Sequence, residues 1–247
     1  MITVDRLTKL YRNGGVPVTA VKDVSFHVDK GEICSILGPS GCGKTTLLYI
    51  LAGIIKDYQG SVYVNNISCR NQRPNVSLIL QDYGLLPWKT VWQNVALGLE
   101  IRGVHRDEKD KKCERALKQV GLFHLKNMYP YQLSGGQKQR VAFARAISMD
   151  SNVLLMDEPF SALDELTREK AQQAFLNLWR NTGTTVLLVT HSIEEAVYLG
   201  SKILIMSSSP GKIIEEIINP VQGLKNARTD ASFFRVCTRV RGIMHSA

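Results

Sequence analysis

The chain has 247 residues, 44% of them hydrophobic, and a formal net charge of +9; that length suits one large domain or a core with an inserted subdomain. The excess positive charge raises the question of a nucleic-acid partner. However, the charge is spread, the run "RDEKDKKCER" mixes both signs, and no basic stripe interleaved with aromatics is present. Five cysteines without a CxxC pair argue against a disulfide framework or a zinc site and fit a reducing compartment; the N-terminus lacks an apolar export signal, and the best apolar run, "LLYILAGII", is too short to span a bilayer.

In chain order, "YRNGGVPVTAVKDVSFHVDKGE" sets turn residues between β-rich pieces, which predicts a small antiparallel layer near the N-terminus. Strands are predicted at Val24–Val28, Ile33–Leu37, Ser61–Val64, Val76–Leu80, Val153–Met156, Thr185–Thr190 and Lys202–Met206. Several lack polar alternation, as strands buried on both faces do. Helical segments follow Gly43, Asp164 and Ser192, giving the βα alternation of a parallel sheet. From Pro87 to Met149 the strand signal stops and three helical patterns succeed one another. The expected division is therefore an α/β core from 1–86 and 150–220, a helical subdomain at 87–149, and a basic C-terminal tail at 221–247. In that tail Lys225, Arg228, Arg235, Arg239 and Arg241 face Asp230 alone. It reads as a solubilising tail or as a contact with an anionic membrane surface.

"GPSGCGKT" (Gly38 to Thr45) matches G-x-x-x-x-G-K-[ST] between a predicted strand and a predicted helix, which is the context a phosphate-binding loop requires. Gly38, Gly41 and Gly43 let the loop curl with its N–H groups inward; Pro39, Ser40 and Cys42 complete it and Thr46 follows. Lys44 would reach the terminal phosphates and the Thr45 hydroxyl would ligate Mg²⁺. Cys42 lies in the cradle, so its alkylation should block nucleotide binding. The strand "VLLMDEP" ends in two acids: Asp157 suits a metal held through its water shell, and Glu158 suits a base for the attacking water. Adjacent acids could instead form a solvated turn or a helix cap. Gln81 and His191 each end a predicted strand, where parallel sheets present ligands; a lone histidine there can equally be structural. A second anion-seeking helix start is "LSGGQ", Leu133 to Gln137, with Ser134 as N-cap and Gly135 and Gly136 opening the backbone to a ligand.

The loop at Gly38 to Thr45, Gln81, "LSGGQ", Asp157-Glu158, "SALD" (Ser161 to Asp164) and His191 together resemble, in order and spacing, the ATP-binding cassette (ABC) transporter ATPases, over roughly Met1 to Pro220. The resemblance implies a P-loop NTPase (RecA-like) parallel sheet core with an N-terminal antiparallel β layer and an inserted helical subdomain. It implies ATP and Mg²⁺ as cofactors and two copies of the chain paired head to tail. Each ATP would lie between the phosphate loop of one copy and Ser134, Gly135, Gly136 and Gln137 of the other. Tyr11 would stack on adenine, or serve as packing; Gln81 would sense the γ-phosphate and the metal; His191 would contact the γ-phosphate; Asp164 would work across the dimer interface. The segment "QDYGLLPWKTVWQNVALGLEIRG" is similar to the importers of nitrate, sulfonates and taurine. Tyr83, Leu85, Leu86 and Trp88 in it suggest a groove for a helix of a transmembrane permease subunit, unless they are core. That subgroup implies an extracytoplasmic solute-binding protein as an indirect partner, a peripheral location on the cytoplasmic face of the membrane, and no nucleic acid. Ser192 departs from the aspartate many relatives carry, and Leu78, Ile79 and Leu80 replace a frequently aromatic strand end. The rival reading, an ABC-type ATPase of nucleic acid or translation, lacks the sustained heptads or the second cassette it would call for.

Overall fold

The computed structural model describes residues 1–12, 15–71, 74–224 and 226–245. Its strands are β1 (Ile2–Tyr11), β2 (Val18–Val28), β3 (Ile33–Leu37), β4 (Gln59–Val64), β5 (Ile67–Ser68), β6 (Val76–Ile79), β7 (Val153–Asp157), β8 (Thr185–Thr190), β9 (Lys202–Met206) and β10 (Ile213–Ile218). Its α-helices are α1 (Lys44–Leu51), α2 (Val91–Ile101), α3 (Arg106–Gln119), α4 (Gly135–Ser148), α5 (Glu165–Thr182), α6 (Ile193–Leu199) and α7 (Ala231–His245).

Strands β2-β1-β4-β5 make an antiparallel sheet, in line with the expected N-terminal layer. Asn13 and Gly14 of its turn lie outside the described residues. The second sheet runs β10-β9-β3-β8-β7-β6, all parallel except β10, which returns antiparallel along β9. Its central strands are covered twice. Ile33, Leu37, Val186 and Leu188 point into a cluster with α4 to α7, while Cys34, Ile36, Leu187 and Val189 point into a cluster with α1 and the antiparallel sheet. Apolar side chains on both faces account for the missing polar alternation. Strands β3, β8 and β9 have the expected bounds; β7 takes in Asp157, β6 stops before Leu80, and β2 starts at Val18 rather than Val24.

Helices α2, α3 and α4 share an apolar cluster of their own, built on Val91, Val95 and Leu99, on Cys113 and Leu117, and on Val141 and Ala144. Helix α4 also turns Ala142 and Phe143 the other way, into the sheet-side cluster. There the Phe143 ring stacks on Phe175 at 5.4 Å and lies 6.2 Å from Phe160. One helix thus belongs to both apolar units.

The segment after Pro220 differs from the tail expected of it. A 3-10 turn at Ala227–Thr229 leads into α7, which buries Phe233, Cys237 and Val240. The spacing i, i+4, i+7 is an amphipathic helix stripe, and the basic residues Arg235, Arg239 and Arg241 occupy its exposed face. Charge dominates the local composition and obscures that stripe. Lys225 lies outside the described residues. All five cysteines are free and buried, and among the described residues no helix is long and apolar enough to cross a membrane.

Candidate active site

The loop from Gly38 to Gly43 joins β3 to α1 at the carboxyl edge of the parallel strands, with Pro39, Ser40 and Gly41 at its exposed crest. Gly43 caps α1 at φ 95°, and a Cβ there would meet the Ala20 carbonyl at 2.6 Å, so only glycine fits. Lys44 is buried and its Nζ donates to the carbonyls of Gly38 and Pro39, both at 2.8 Å, which folds the amine over the loop. The Thr45 hydroxyl donates to Asp157 Oδ2 at 2.8 Å. Burial pushes the Asp157 carboxyl above the usual range and the charge of Glu158 adds to this, while the Thr45 hydrogen bond and Lys44 offset them. Two motifs 112 residues apart in sequence therefore meet through one hydrogen bond.

Glu158, one residue past β7, has φ 46°, a left-handed conformation that bulky residues avoid. Its backbone N–H donates to Val189 at 2.9 Å, and both the N–H and the hydroxyl of Ser161 donate to its carbonyl. The strained backbone is thus held from both sides. Its side chain meets His191, with Nδ1 2.9 Å from Oε2. Tyr11 ends β1 with its hydroxyl 3.3 Å from Thr46 Oγ1, beside the start of α1, and Lys9 lies over its ring at 4.8 Å.

Ser134 caps α4 through a reciprocal box: Gln137 N–H donates to Ser134 Oγ at 3.3 Å, and Ser134 N–H donates to Gln137 Oε1 at 2.9 Å. The first turn carries no acid, and Ser134 and Gly135 are exposed. Beside it, the exposed Asp164 caps α5 and accepts from Thr167 N–H at 3.0 Å, which lowers its own pKa. A Cβ on Gly135 or Gly136 would press on Leu163 or Thr167 at 3.2 Å.

Residues 21–161 match the protein-family model described as ABC transporter. An uncharacterized ABC transporter ATP-binding protein of Methanocaldococcus jannaschii is 38% identical over 98% of this chain and 91% of its own length. The chain belongs to the ABC transporter ATP-binding family. The taurine import ATP-binding protein of Chromobacterium violaceum is 44% identical, over 89% of this chain and 83% of its own. Among solved structures, a dimeric post-hydrolysis ATP-binding cassette bound to ADP and Pi superposes with a TM-score of 0.77 at 33% identity, over 91% of this chain and all of that one. A Clostridium perfringens CbiO1, part of the ABC transporter complex cbiONQ, gives 0.78 at 28% identity over 99% and 97% of the two chains. The cassette is an ATPase with the P-loop NTPase fold.

The cassette brings together Lys44, Thr45, Asp157, Glu158 and His191, with Tyr11 and Thr46 at the edge. Gln81 sits just past β6, exposed, and no described hydrogen bond draws it to Thr45 or Asp157. The expected groove after it is only partly exposed: Trp88 is 70% exposed, whereas Tyr83 is 5% exposed and belongs to the core. Leu85 and Leu86 are half-buried. The fully buried Asn94 holds this segment, accepting from Leu86 N–H at 2.8 Å and donating toward the carbonyls of Leu86, Lys89 and Thr90. Four supporting residues escaped the motif reading. Gln139 of α4 donates to the Pro159 carbonyl at 2.9 Å; Arg145 donates to Tyr83 and Gly84, each at 2.7 Å; Arg168 donates to Phe160 at 3.2 Å and Leu163 at 2.7 Å. Gly211 backs the phosphate loop so closely that a Cβ would lie 1.9 Å from the Cys42 carbonyl. Polar side chains on otherwise apolar faces of α4 and α5 were the available signal for the first three.

Proposed function

We propose that the cassette is the ATP-hydrolysing subunit of an importer for a small solute of the taurine, sulfonate or nitrate kind, acting as a head-to-tail pair beneath transmembrane permease subunits. The solute class rests on the taurine import relatives, 41–44% identical over most of the chain. In this reading residues 87–149 form the subdomain that carries the signature helix and meets the permease. The protein is peripheral on the cytoplasmic face of the membrane, and an extracytoplasmic solute-binding protein delivers the solute.

One observation carries the paired arrangement. Lys44, Thr45, Asp157, Glu158 and His191 form one linked centre, whereas the start of α4 is exposed, uncharged and flanked by Leu163 and Thr167 rather than by that centre. A helix start with free N–H groups and no acid of its own favours an anion. The neighbouring start of α5 is already supplied with Asp164. The phosphate that α4 favours is then one held by the loop of a second copy.

Thr45, Asp157 and Gln81 offer a hydroxyl, a carboxylate and an amide oxygen, the hard donors that suit Mg²⁺, and the Thr45–Asp157 contact already joins two of them. When bound, the ion would neutralise charge on the β- and γ-phosphates. Lys44 and the loop N–H groups would hold those phosphates. Glu158 would orient the attacking water and take its proton, while His191, bonded to it through Nδ1, steadies the carboxylate and keeps Nε2 for the γ-phosphate.

The test is a size-exclusion and ATPase experiment on Glu158→Gln with and without a second change, Ser134→Arg. Glu158→Gln should lose at least about 100-fold in turnover and run as a two-chain particle with MgATP. Adding Ser134→Arg should return it to a single chain that still binds ATP. Wild-type turnover by Glu158→Gln, or a one-chain particle under saturating MgATP, would refute the reading.

A further inference from the structure

Glu195 lies in the first turn of α6, four residues after His191, and is only 4% exposed. Its Oε2 accepts from Gln172 Nε2 at 3.3 Å, and its Oε1 has no partner. The Thr190 side chain helps hold its charge. The same carboxyl-bearing turn braces the histidine loop, because Glu195 N–H donates to Ser192 Oγ at 3.3 Å and Ser192 N–H donates to Thr190 Oγ1 at 3.0 Å. The charged groups that face the carboxyl are Arg168 from α5 and Glu158 from the end of β7; β8 contributes only the Thr190 hydroxyl. Arg228, from the 3-10 turn before α7, stands one hydrogen bond further out. It donates to Gln172 Oε1 at 2.5 Å and pairs with Glu169 at 3.1 Å, which turns the Gln172 amide nitrogen toward Glu195.

Arg168 is the link to the second loop, since its guanidinium holds the carbonyls of Phe160 and Leu163 just ahead of Asp164. One buried carboxyl therefore bears on the backbone of both loops that meet at Glu158. We propose that Glu195 is a positioning residue for ATP hydrolysis, setting the His191 loop and the Ser161–Asp164 loop in its ionised form and releasing them when protonated. Burial raises this carboxyl from 4.5 to about 7, so the change of state falls at ordinary pH. Ionised, it attracts Arg168 and accepts from Gln172 and Thr190. Protonated by solvent, it no longer opposes the Arg168 charge, and the guanidinium is left to the two carbonyls alone.

The inference rests on the roles given above to Glu158 and His191. The experiment is the pH profile of kcat and of KM for ATP, from about pH 6 to about pH 8.5, for the full-length wild type, Glu195→Gln and Glu195→Asp. In the wild type kcat should rise roughly fivefold, the effect of about one hydrogen bond's worth of misplacement. Glu195→Gln should stay at the low-pH value throughout, with KM within about twofold, and Glu195→Asp should regain the rise. Gln172→Leu, which removes a donor to the ionised form, should move the rise to higher pH, and it serves if the first variant does not fold. A Glu195→Gln profile that superimposes on the wild type, or one lowered equally at every pH, would overturn the inference, as would an unmoved rise in Gln172→Leu. Glu158→Gln in the same assay separates the two failures: if it is inactive while Glu195→Gln behaves as wild type, only the positioning role falls.

Discussion

Glu195→Gln should make the fold more stable, and only above a certain pH. The carboxyl rises from 4.5 in the unfolded chain to about 7 in the folded one, a difference equivalent to about 3 kcal/mol. Because the folded state binds the proton more tightly, native stability is full below about pH 4.5 and falls as the pH climbs toward about 7; beyond that the whole penalty is present. Glutamine keeps the shape and the contact with Gln172 but has no charge to desolvate. The variant should therefore gain about 3 kcal/mol over the wild type near pH 8 and less than about 1 kcal/mol near pH 5. For a chain of this length the gain at pH 8 is roughly 6–10 °C in Tm. Urea unfolding of the nucleotide-free protein at several pH values, followed by far-UV circular dichroism, reads it directly. An equal difference at every pH, or a loss at pH 8, would show that Glu195 is not held against its ionisation. With the kinetic profile above, the result would make this position one where stability is given up for activity.

Asn94→Ala should destabilise the fold by about 2–4 kcal/mol in urea, because it strips partners from one backbone N–H and three carbonyls between Leu86 and Thr90; a loss under about 1 kcal/mol would contradict that role. Cys42 is buried and its thiol is pushed up by burial, with Lys44 only partly offsetting this. Mass spectrometry should therefore find iodoacetamide labelling at least about 100-fold slower in the native than in the unfolded protein, and the labelled fraction should fail to bind a fluorescent ATP analogue. Trp88→Ala should leave the ATPase of the isolated subunit within about twofold while sharply weakening capture by permease subunits in detergent, as expected for a single exposed aromatic anchor. Equal damage to both would point instead to a folding defect.

Much of the parallel sheet was legible because "ICSIL", "TVLLVT" and "KILIM" are apolar without interruption, and the only environment that accepts such runs in short segments is one covered on both faces. The helix starts at Lys44, Gly135 and Glu165 were equally plain, since glycine or a capping side chain precedes each. Strand β10 and helix α7 were not. "IIEEII" sits at a sheet edge with one face wet, and the stripe of Phe233, Cys237 and Val240 is diluted by arginines that never leave the surface. Tyr83 stood open between a docking groove and the core; at a positive φ its ring enters the core. In the candidate site, Lys44, Thr45, Asp157, Glu158 and His191 stand in motifs readable from spacing, whereas Gln139 and Arg145 bond backbone distant in sequence, Arg168 bonds the carbonyls of Phe160 and Leu163, and Glu195 meets the Gln172 amide. Their partners are carbonyls and buried amides, which carry no residue-type signature.

Gly211 belongs to no nucleotide motif, yet backbone alone separates it from Cys42, and it is stitched to the antiparallel sheet through Ala20 and Lys22. The turn between β9 and β10 is thereby the floor of the Gly38–Gly43 loop, a stop against which that loop cannot sink. Even a methyl group at that point would have to displace the Cys42 carbonyl, so the shape of the loop is fixed partly by a hairpin far from it in sequence.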